Sequence, residues 1–490
     1  MCRRIIISFS LFCALAPFRL MGQANAPCST ANNKVACTIP QVAGVGGIQT
    51  VSGTGYLSPT PHSGAHFEQD FEQDLVPLDS GVASQLALLP LAAPASGIAV
   101  TFGKSGPVAS NESFGPILSE RAKTLGRHRL FLGFSYQYFH FDKLDGVDLN
   151  HIPIVEKHLS PSTGNAFDNP PNTTMCSLSG KNQKGCAFIR DRIETMNRID
   201  LTLNQSTAYV AFGLTKRIDI SAAIPIVNVR MNATTTANLI DQSGSFAHEF
   251  PASSSCPSSF VSADGGCLQQ VFNPGQRTST GIGDVTFRVK GTIWQGEHSG
   301  IAAGLDVRTP TGDALNFQGA GAVAVRPFVV WSYAHRFSPH INAGYEWNGD
   351  SILAGDFTLG TKGHLPNQFL YSAGVDAGVT HWLTLSFDLI GQVVLNGTQT
   401  IIQNQSFLGK CNTPYSPTGC VTPAPATNDI RPTLVSSSPG NYKITSAATG
   451  LRLNPWKNLL ISGNALLKLD DGGLRATVVP LISVSYTFGK

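Results

Sequence analysis

Apolar and polar residues alternate along the later part of the chain with the period of a β-strand. The last such run, TVVPLISVSYTFGK, places six apolar or aromatic residues on one face: Val478, Pro480, Ile482, Val484, Tyr486 and Phe488. The other face changes from apolar residues to Ser and Thr. Because successive side chains of a strand point to opposite faces, the run predicts a strand with one apolar face. Such a face covers a core in a soluble protein and contacts lipid in a membrane barrel.

About twelve alternating runs lie between residue 128 and the C-terminus, and most have the length of about ten residues that a tilted membrane strand needs. We therefore predict an all-β protein: a transmembrane antiparallel β-barrel of about 12 strands, with 14 as the alternative, over residues 128–490. In hydrocarbon no water satisfies the backbone at a sheet edge, so the last strand is expected to pair with the first.

The gaps between the runs are alternately short and long. The short gaps are 214–217, 295–299, 338–340, 380–382 and 455–457. The long gaps are 142–195, 232–280, 310–320, 350–365 and 398–440, and a tight DDGG turn follows at 470–473. This order is typical of outer-membrane barrels, which have short periplasmic turns and long extracellular loops. It predicts the outer membrane of a Gram-negative type of cell, with both termini periplasmic.

Charged residues in these runs lie on the face opposite the regular apolar set. A soluble β-sandwich also alternates, but here the second face carries Gly, Ser, Ala and isolated charges. We expect this face to line a lumen, with six candidates for the pore wall: Arg288, Lys290, Asp306, Arg308, Asp376 and Asp388. Two interpretations stay open, because the charges either set a field across a passing solute or pair across strands and fill a narrow interior.

The first 127 residues do not follow the strand rhythm. Arg3 and Arg4 precede a short apolar run, and a cleavage context at Ala24 predicts a signal peptide over residues 1–24. Residues 25–127 are interpreted either as a periplasmic extension, part of which folds into the lumen as a plug, or as a flexible leader. Within them, SGIAVTF fits an additional strand, which would require a partner to keep the strand number even.

The charge balance narrows the choice of partners. Charged residues make up 13% of the chain, against roughly 25% in ordinary soluble proteins. The predicted signal peptide holds three of the 34 basic residues, so its removal leaves 31 basic against 31 acidic residues. A neutral chain lacks the basic excess that phosphate binding needs, so nucleic acid is not an expected partner.

The cysteines outside the predicted signal peptide fall into four neighbouring pairs within polar sequence. The spacing predicts four local disulfides formed in an oxidising compartment. A metal site is not expected, because the chain has no CxxC motif and no His at ligand spacing. The candidate pairs are Cys28 with Cys37, Cys176 with Cys186, Cys256 with Cys267, and Cys411 with Cys420; the last three pairs are expected in extracellular loops.

Four stretches resemble a known family: ERAKTLGRHRLFLGFSYQYFHFDKLDG, GLTKRIDISAAIPIV, GIGDVTFRVK and RTPTGDALNFQGAG. They are similar to outer-membrane barrel "transporter" proteins associated by name with the phenol meta-pathway, which are distantly similar to FadL-type channels for hydrophobic compounds. The resemblance covers roughly residues 113–490. It implies outer-membrane transport of small, including aromatic, compounds, and it supplies no catalytic residues and no cofactor.

From the residues and the resemblance together we expect a channel or transporter for passive uptake or efflux of small hydrophobic or aromatic molecules, and not an enzyme. The expected partners are outer-membrane lipid, the barrel-assembly machinery and the solute. One alternative is a surface-adhesion or structural barrel with disulfide-tied loops.

A barrel-embedded lipid hydrolase is the other alternative, and it would need a Ser beside a His. The sequence shows no such pair. His140 is expected on the lipid-facing side of the first strand, and His335, His340 and His381 are expected near periplasmic turns.

Overall fold

The computed structural model describes most of the predicted barrel and short parts of the preceding chain. The described residues are 28, 33–43, 48, 50–52, 78, 81–86, 93–103, 106–117, 120–157, 191–242, 248–251, 256–261, 266–356, 360–407, 409, 429–456 and 458–488, with the backbone alone at 51–52, 93–103 and 106–117. The predicted signal peptide and the cysteine pairs Cys176 with Cys186 and Cys411 with Cys420 lie outside these residues.

Twelve antiparallel strands form a closed barrel, which confirms the predicted fold class and the strand number of 12. They are β1 (Leu130–Phe141), β2 (Arg192–Gly213), β3 (Ile218–Ile240), β4 (Thr286–Gln295), β5 (Ser299–Arg308), β6 (Ala324–Tyr333), β7 (Phe337–Asn348), β8 (Asn367–Gly378), β9 (Leu383–Gly397), β10 (Gly440–Trp456), β11 (Leu459–Lys468) and β12 (Val478–Phe488). Each strand pairs with the next in chain order.

The barrel closes where the prediction placed its seam. Strand β12 pairs with β1, with Phe488 opposite Leu130 and Leu481 opposite Gln137. Strand β1 then pairs with β2 along its whole length. The ring therefore leaves neither end of the barrel sheet as an unpaired edge, as a hydrocarbon environment requires.

The two ends of the barrel differ in their connections. We call the turn end the one where short turns join the strands, for example between Gly213 and Ile218 and between Gln295 and Ser299. The loop end is the opposite one, where long connections leave the sheet. Among the described residues no helix is long and apolar enough to cross a membrane.

Shorter elements gather mostly at the loop end. Three strands extend the barrel sheet beside β2 and β3: Ile152–Lys157, Gln269–Phe272 and Arg277–Ile282. Small separate sheets are formed by Val51–Ser52 with His248–Glu249, Lys143–Leu144 with Val147–Asp148 and Leu474–Arg475, Asp350–Ser351 with Gly363–His364, and Thr400–Phe407 with Asp429–Ser436. Single 3-10 turns lie at Val35–Thr38, Ser258–Phe260, Ala314–Asn316 and Ile352–Ala354, and 81–86 is helical.

An antiparallel hairpin, Ala93–Gly103 with Gly106–Ile117, precedes the barrel in sequence. Its first strand contains the stretch SGIAVTF, which the sequence analysis interpreted as an extra strand in need of a partner. The partner is its own second strand, so the hairpin does not enter the ring.

The outer face of the barrel is apolar. On β12 the six residues of the predicted apolar face are all exposed, with Ile482 at 61%, whereas Leu481, Ser483 and Thr487 on the other face are buried. Four tryptophans lie exposed at the turn-end rim: Trp294, Trp331, Trp382 and Trp456. An apolar band with an aromatic girdle at its rim is the surface of a transmembrane barrel, where aromatic rings sit at the lipid–water interface.

Three predicted gaps were wrong in their position or length. The gap at 338–340 lies inside β7, because Ser338 and Pro339 resemble turn residues but have strand partners on β8. The predicted gaps at 142–195 and 232–280 included residues that belong to strands, because β2 already begins at Arg192 and β3 continues to Ile240. These two strands have 22 and 23 residues. At about 3.3 Å per residue such strands measure roughly 70 Å, more than a membrane needs. They therefore continue beyond the bilayer as an outer sheet.

We expect Ile482→Arg to destabilise the folded barrel by about 2–4 kcal/mol, because Ile482 lies midway along β12 on the lipid face, where an arginine must leave water. The free energy of unfolding would be measured by urea titration of the protein in lipid vesicles. Ile482→Val is the matched control and should cost less than half as much. An arginine tolerated without loss would contradict the lipid-facing assignment.

Candidate transport lumen

The inner wall carries a row of ion pairs across strands β4 to β7. Arg288 on β4 donates to both carboxylate oxygens of Asp306 on β5, at 2.7 and 2.9 Å. Arg326 on β6 donates to the same carboxylate at 2.5 Å. Further along, Arg308 and Arg326 both approach Glu346 on β7, at 3.5 and 3.7 Å. The carboxylates are buried and the arginines are partly buried, and each charge has a partner on another strand of the wall.

A second cluster lies nearer the turn end. Asp376 on β8 accepts from Arg121, at 2.5 Å, and from Arg452 on β10, at 3.0 Å. Asp388 on β9 lies 2.5 Å from Nε2 of His340. A buried carboxylate with two guanidinium partners has its charge matched locally, which offsets the cost of removing it from water.

The six predicted pore-wall residues all point inward, in two groups. Arg288, Lys290, Asp306 and Arg308 lie together on β4 and β5, whereas Asp376 and Asp388 lie in the second cluster. In the structure each of the six has an ion-pair partner. Sequence reasoning missed five partners: Glu120, Arg121, Arg326, His340 and Arg452.

Residues 120–125, which we call the crossing segment, explain part of that omission. They precede β1 and run inside the barrel along the walls of β3, β4, β6, β7 and β8. The backbone N–H groups of Glu120, Ala122 and Leu125 donate to Asn342, Ser332 and Asp219, at 3.1, 3.0 and 2.7 Å. The Thr292 hydroxyl donates to the Ala122 carbonyl at 3.0 Å. Side chains of the wall thus satisfy a backbone that has no strand partner of its own.

Charged side chains of the crossing segment complete the wall clusters. Lys290 donates to Glu120 at 2.8 Å and also to the carbonyls of Arg121 and Lys123. Arg288 donates to the other Glu120 oxygen at 2.5 Å. Alternation of apolar and polar residues locates strands only, so it gave no signal that Glu120 and Arg121 lie in the lumen.

The sequence analysis expected His340 near a periplasmic turn and inside the gap at 338–340, whereas it lies within β7, as the fourth residue from the turn-end start of that strand. Its side chain is fully buried in the lumen, with one ring nitrogen facing Asp388 and the other facing the Ser338 carbonyl. The error follows from the wrong gap at 338–340. Among the described residues the partners of the ring are a carboxylate and a backbone carbonyl, whereas a nucleophile–base pair requires a hydroxyl there.

The described part of the N-terminal chain packs at the loop end. Lys34 pairs with Asp313 at 2.5 Å, and Arg277 donates to the Lys34 carbonyl and to the Gln41 side chain. A disulfide joins Cys28 to Cys37 within this stretch, and another joins Cys256 to Cys267. Apolar residues of this stretch, such as Cys28, Val35 and Cys37, pack with apolar residues of the loops and of the loop-end parts of β1, β2 and β3. They form one hydrophobic core.

Two of the cavities that the described residues border lie inside the barrel. The larger, of about 170 Å³, has a mainly apolar wall to which Phe139, Phe141, Phe328, Ile444 and Leu466 contribute, and amides and hydroxyls of Asn342, Ser372 and Gln392 interrupt it. Five charged residues also border it: Glu120, Arg288, Arg326, Lys468 and Arg475. The smaller, of about 70 Å³, is bordered by Leu125, Phe131, Tyr209 and Ala223. An apolar cavity with a few polar groups is the usual form of a small-molecule site.

Comparison with known proteins finds one family model that matches part of the chain. The model of the family described as "Putative MetA-pathway of phenol degradation" matches residues 202–400. The resemblance is confirmed. The matched residues run from β2 through β9 and include all six predicted pore-wall residues. A search of curated proteins gives no match.

Solved structures of outer-membrane proteins are among the similar folds. An outer membrane channel from Pseudomonas putida F1 is 9% identical, with a TM-score of 0.41, and covers 75% of this chain and 98% of its own. The toluene transporter TbuX of Ralstonia pickettii is 10% identical, with a TM-score of 0.25 and coverage of 74% and 90%. A Pseudomonas aeruginosa FadL homologue has 10% identity, a TM-score of 0.26 and coverage of 74% and 89%. At TM-scores this low the likenesses carry no argument about the solute.

We expect Asp376→Ala to lower the free energy of unfolding by about 3–5 kcal/mol, because it leaves Arg121 and Arg452 buried without their shared carboxylate. Urea titration in lipid vesicles would measure the loss. Asp313→Ala is the control, since its pair with Lys34 is about one-third exposed and should contribute about 0–1 kcal/mol. Equal losses of unfolding free energy in the two variants would show that the buried cluster stabilises the protein no more than the exposed pair does.

Proposed function

We propose that this chain is an outer-membrane channel for passive movement of small, uncharged, largely apolar molecules, aromatic compounds among them. The observation that supports this most directly is an apolar, ring-lined cavity enclosed by a membrane-type barrel. A transported solute needs a continuous environment that shields it from lipid, and the interior of a closed barrel supplies one.

The charge balance of the lumen supports an uncharged solute. Six cations and six carboxylates take part in the ion pairs described above, and Lys468 and Arg475, which also border the larger cavity, lie 3.2 and 3.9 Å from Asp471 and Asp470. Each charge is therefore matched locally, which gives little preference for either sign of ion. The cations are Arg121, Arg288, Lys290, Arg308, Arg326 and Arg452; the carboxylates are Glu120, Asp284, Asp306, Glu346, Asp376 and Asp388. A charged solute would have to displace pairs that already satisfy each other, at a desolvation cost.

The wall of the larger cavity supports an apolar ring as part of the solute. Phe139, Phe141 and Phe328 offer ring faces and edges, against which an aromatic solute packs in offset or edge-to-face geometry. Asn342, Ser372 and Gln392 offer hydrogen-bonding groups for one polar substituent. The family description, which refers to phenol degradation, agrees with such a solute.

We further propose an arrangement in the cell that differs from the predicted one at the N-terminus. The turn end and the C-terminus would be periplasmic, and the loop end with its disulfides would be extracellular, after removal of residues 1–24 and insertion by the barrel-assembly machinery. Cys28 and Lys34 lie at the loop end, so the N-terminus of the processed chain would lie there and not in the periplasm. Residues 25–127 would act as a plug and not as a periplasmic extension. The support is that the crossing segment lies inside the barrel and that Lys34 and Gln41 contact the loop end.

Vesicle uptake tests the channel with three ring compounds of similar size: neutral benzamide, anionic benzoate and cationic benzylammonium. We expect the reconstituted protein to raise benzamide uptake over protein-free vesicles by several-fold or more, and to raise uptake of the two ions less, because the lumen has no net charge to attract them. Vesicles containing heat-unfolded protein are the control. No gain for any of the three compounds would overturn the proposed channel.

A further inference from the structure

The two lumen cavities share only two of their bordering residues, Glu120 and Arg288. The larger cavity lies on the loop-end side of this pair, against Phe139 and Phe141 near the end of β1. The smaller lies on the turn-end side, against Phe131 at the start of β1. A molecule that passes between the cavities therefore meets Glu120 and Arg288.

The pair joins two different elements of the fold. Glu120 belongs to the crossing segment and Arg288 to β4, and their side chains meet at 2.5 Å. Lys290, also on β4, holds the second Glu120 oxygen at 2.8 Å. The guanidinium of Arg288 also lies 4.9 Å from the ring of Phe328, which borders the larger cavity. The junction between the cavities is thus closed by charges placed next to an aromatic surface.

The wall keeps its own pairing without Glu120. Arg288 retains two hydrogen bonds to Asp306, and Lys290 retains the carbonyls of Arg121 and Lys123. Glu120, in contrast, depends on both cations of β4 for its side-chain charge. Neutralising Glu120 therefore weakens the contacts of the crossing segment with Arg288 and Lys290. The hydrogen bonds between Arg288 on β4 and Asp306 on β5 stay in place.

We propose that the Glu120–Arg288 pair is the selectivity gate of the lumen, a salt bridge that separates the two cavities and holds the junction electrically neutral. This inference rests on the proposed channel function and adds its specificity-determining residues. Three cations, Arg288, Lys290 and Arg326, meet three carboxylates, Glu120, Asp306 and Asp219, at the junction and its two cavity walls. Uncharged solutes pass between them without an electrostatic preference, whereas an ion of either sign meets its own charge there.

Because the charges at the junction balance, removing Glu120 and removing Arg288 are expected to shift ion selectivity in opposite directions. Removing the Glu120 charge leaves three cations against two carboxylates, so the junction becomes positive and favours anions. Removing the Arg288 charge leaves two cations against three carboxylates, so the junction becomes negative and favours cations. A purely structural role of the pair would not move ion selectivity in opposite directions.

The test is the reversal potential of the full-length protein in planar bilayers under a KCl gradient, for the wild type, Glu120→Gln and Arg288→Gln. We expect the chloride-to-potassium permeability ratio to rise by roughly two-fold or more in E120Q and to fall by a similar factor in R288Q. Asp313→Asn is the control at the loop end, away from both cavities, and should keep the wild-type ratio. Heat-modified migration on gels would confirm that each variant forms a folded barrel.

The outcomes separate the gate from the channel. Unchanged ratios in two folded, conducting variants would overturn the gate and leave the channel standing. Shifts of the same sign would also overturn it, because loosening alone and not charge would then explain them. If wild type, E120Q and R288Q all carry neither current nor benzamide, both the gate and the proposed channel are wrong.

Discussion

The backbone ladder between β12 and β1 joins the two ends of the sheet, and every other feature of the barrel depends on it. A strand edge buried in hydrocarbon would leave its N–H and C=O groups unsatisfied, at several kcal/mol for each group. Once Phe488 lies opposite Leu130 and Leu481 opposite Gln137, the ring has no such edge. Side-chain alternation then forces one set of residues outward to lipid and the other into the lumen.

In this twelve-stranded barrel the inward charges pair across neighbouring strands. Arg288, Asp306 and Arg326 show the result, one carboxylate between two guanidinium groups on adjacent strands. The crossing segment joins this network through Glu120 and Arg121. Beside this network the described residues border two cavities, whose walls combine aromatic and aliphatic side chains with paired charges.

Period-two alternation predicted the fold because a lipid-facing wall tolerates no charge, so Asp306 and Asp388 had to oppose Leu305 and Phe387. The same rule placed the six pore-wall residues inward. It did not place His340, because Ser338 and Pro339 look like a turn although β8 pairs with them. It could not predict the positions of Glu120 and Arg121, because these residues lie outside the strands. They contact Arg288 and Asp376 because the closed barrel surrounds the crossing segment.

The central claim is that one face of the sheet contacts acyl chains and the other faces the lumen. Spin labels placed singly along β9, from Leu383 to Val394, test it in lipid vesicles through their accessibility to oxygen, which concentrates in the bilayer, and to a polar nickel chelate, which does not. We expect oxygen accessibility to alternate with a period of two, with maxima at Leu385, Phe387 and Leu389, which are exposed on the barrel exterior, and minima at Ser386 and Asp388. Accessibility without that period, or greatest to the nickel chelate at Phe387, would contradict the account.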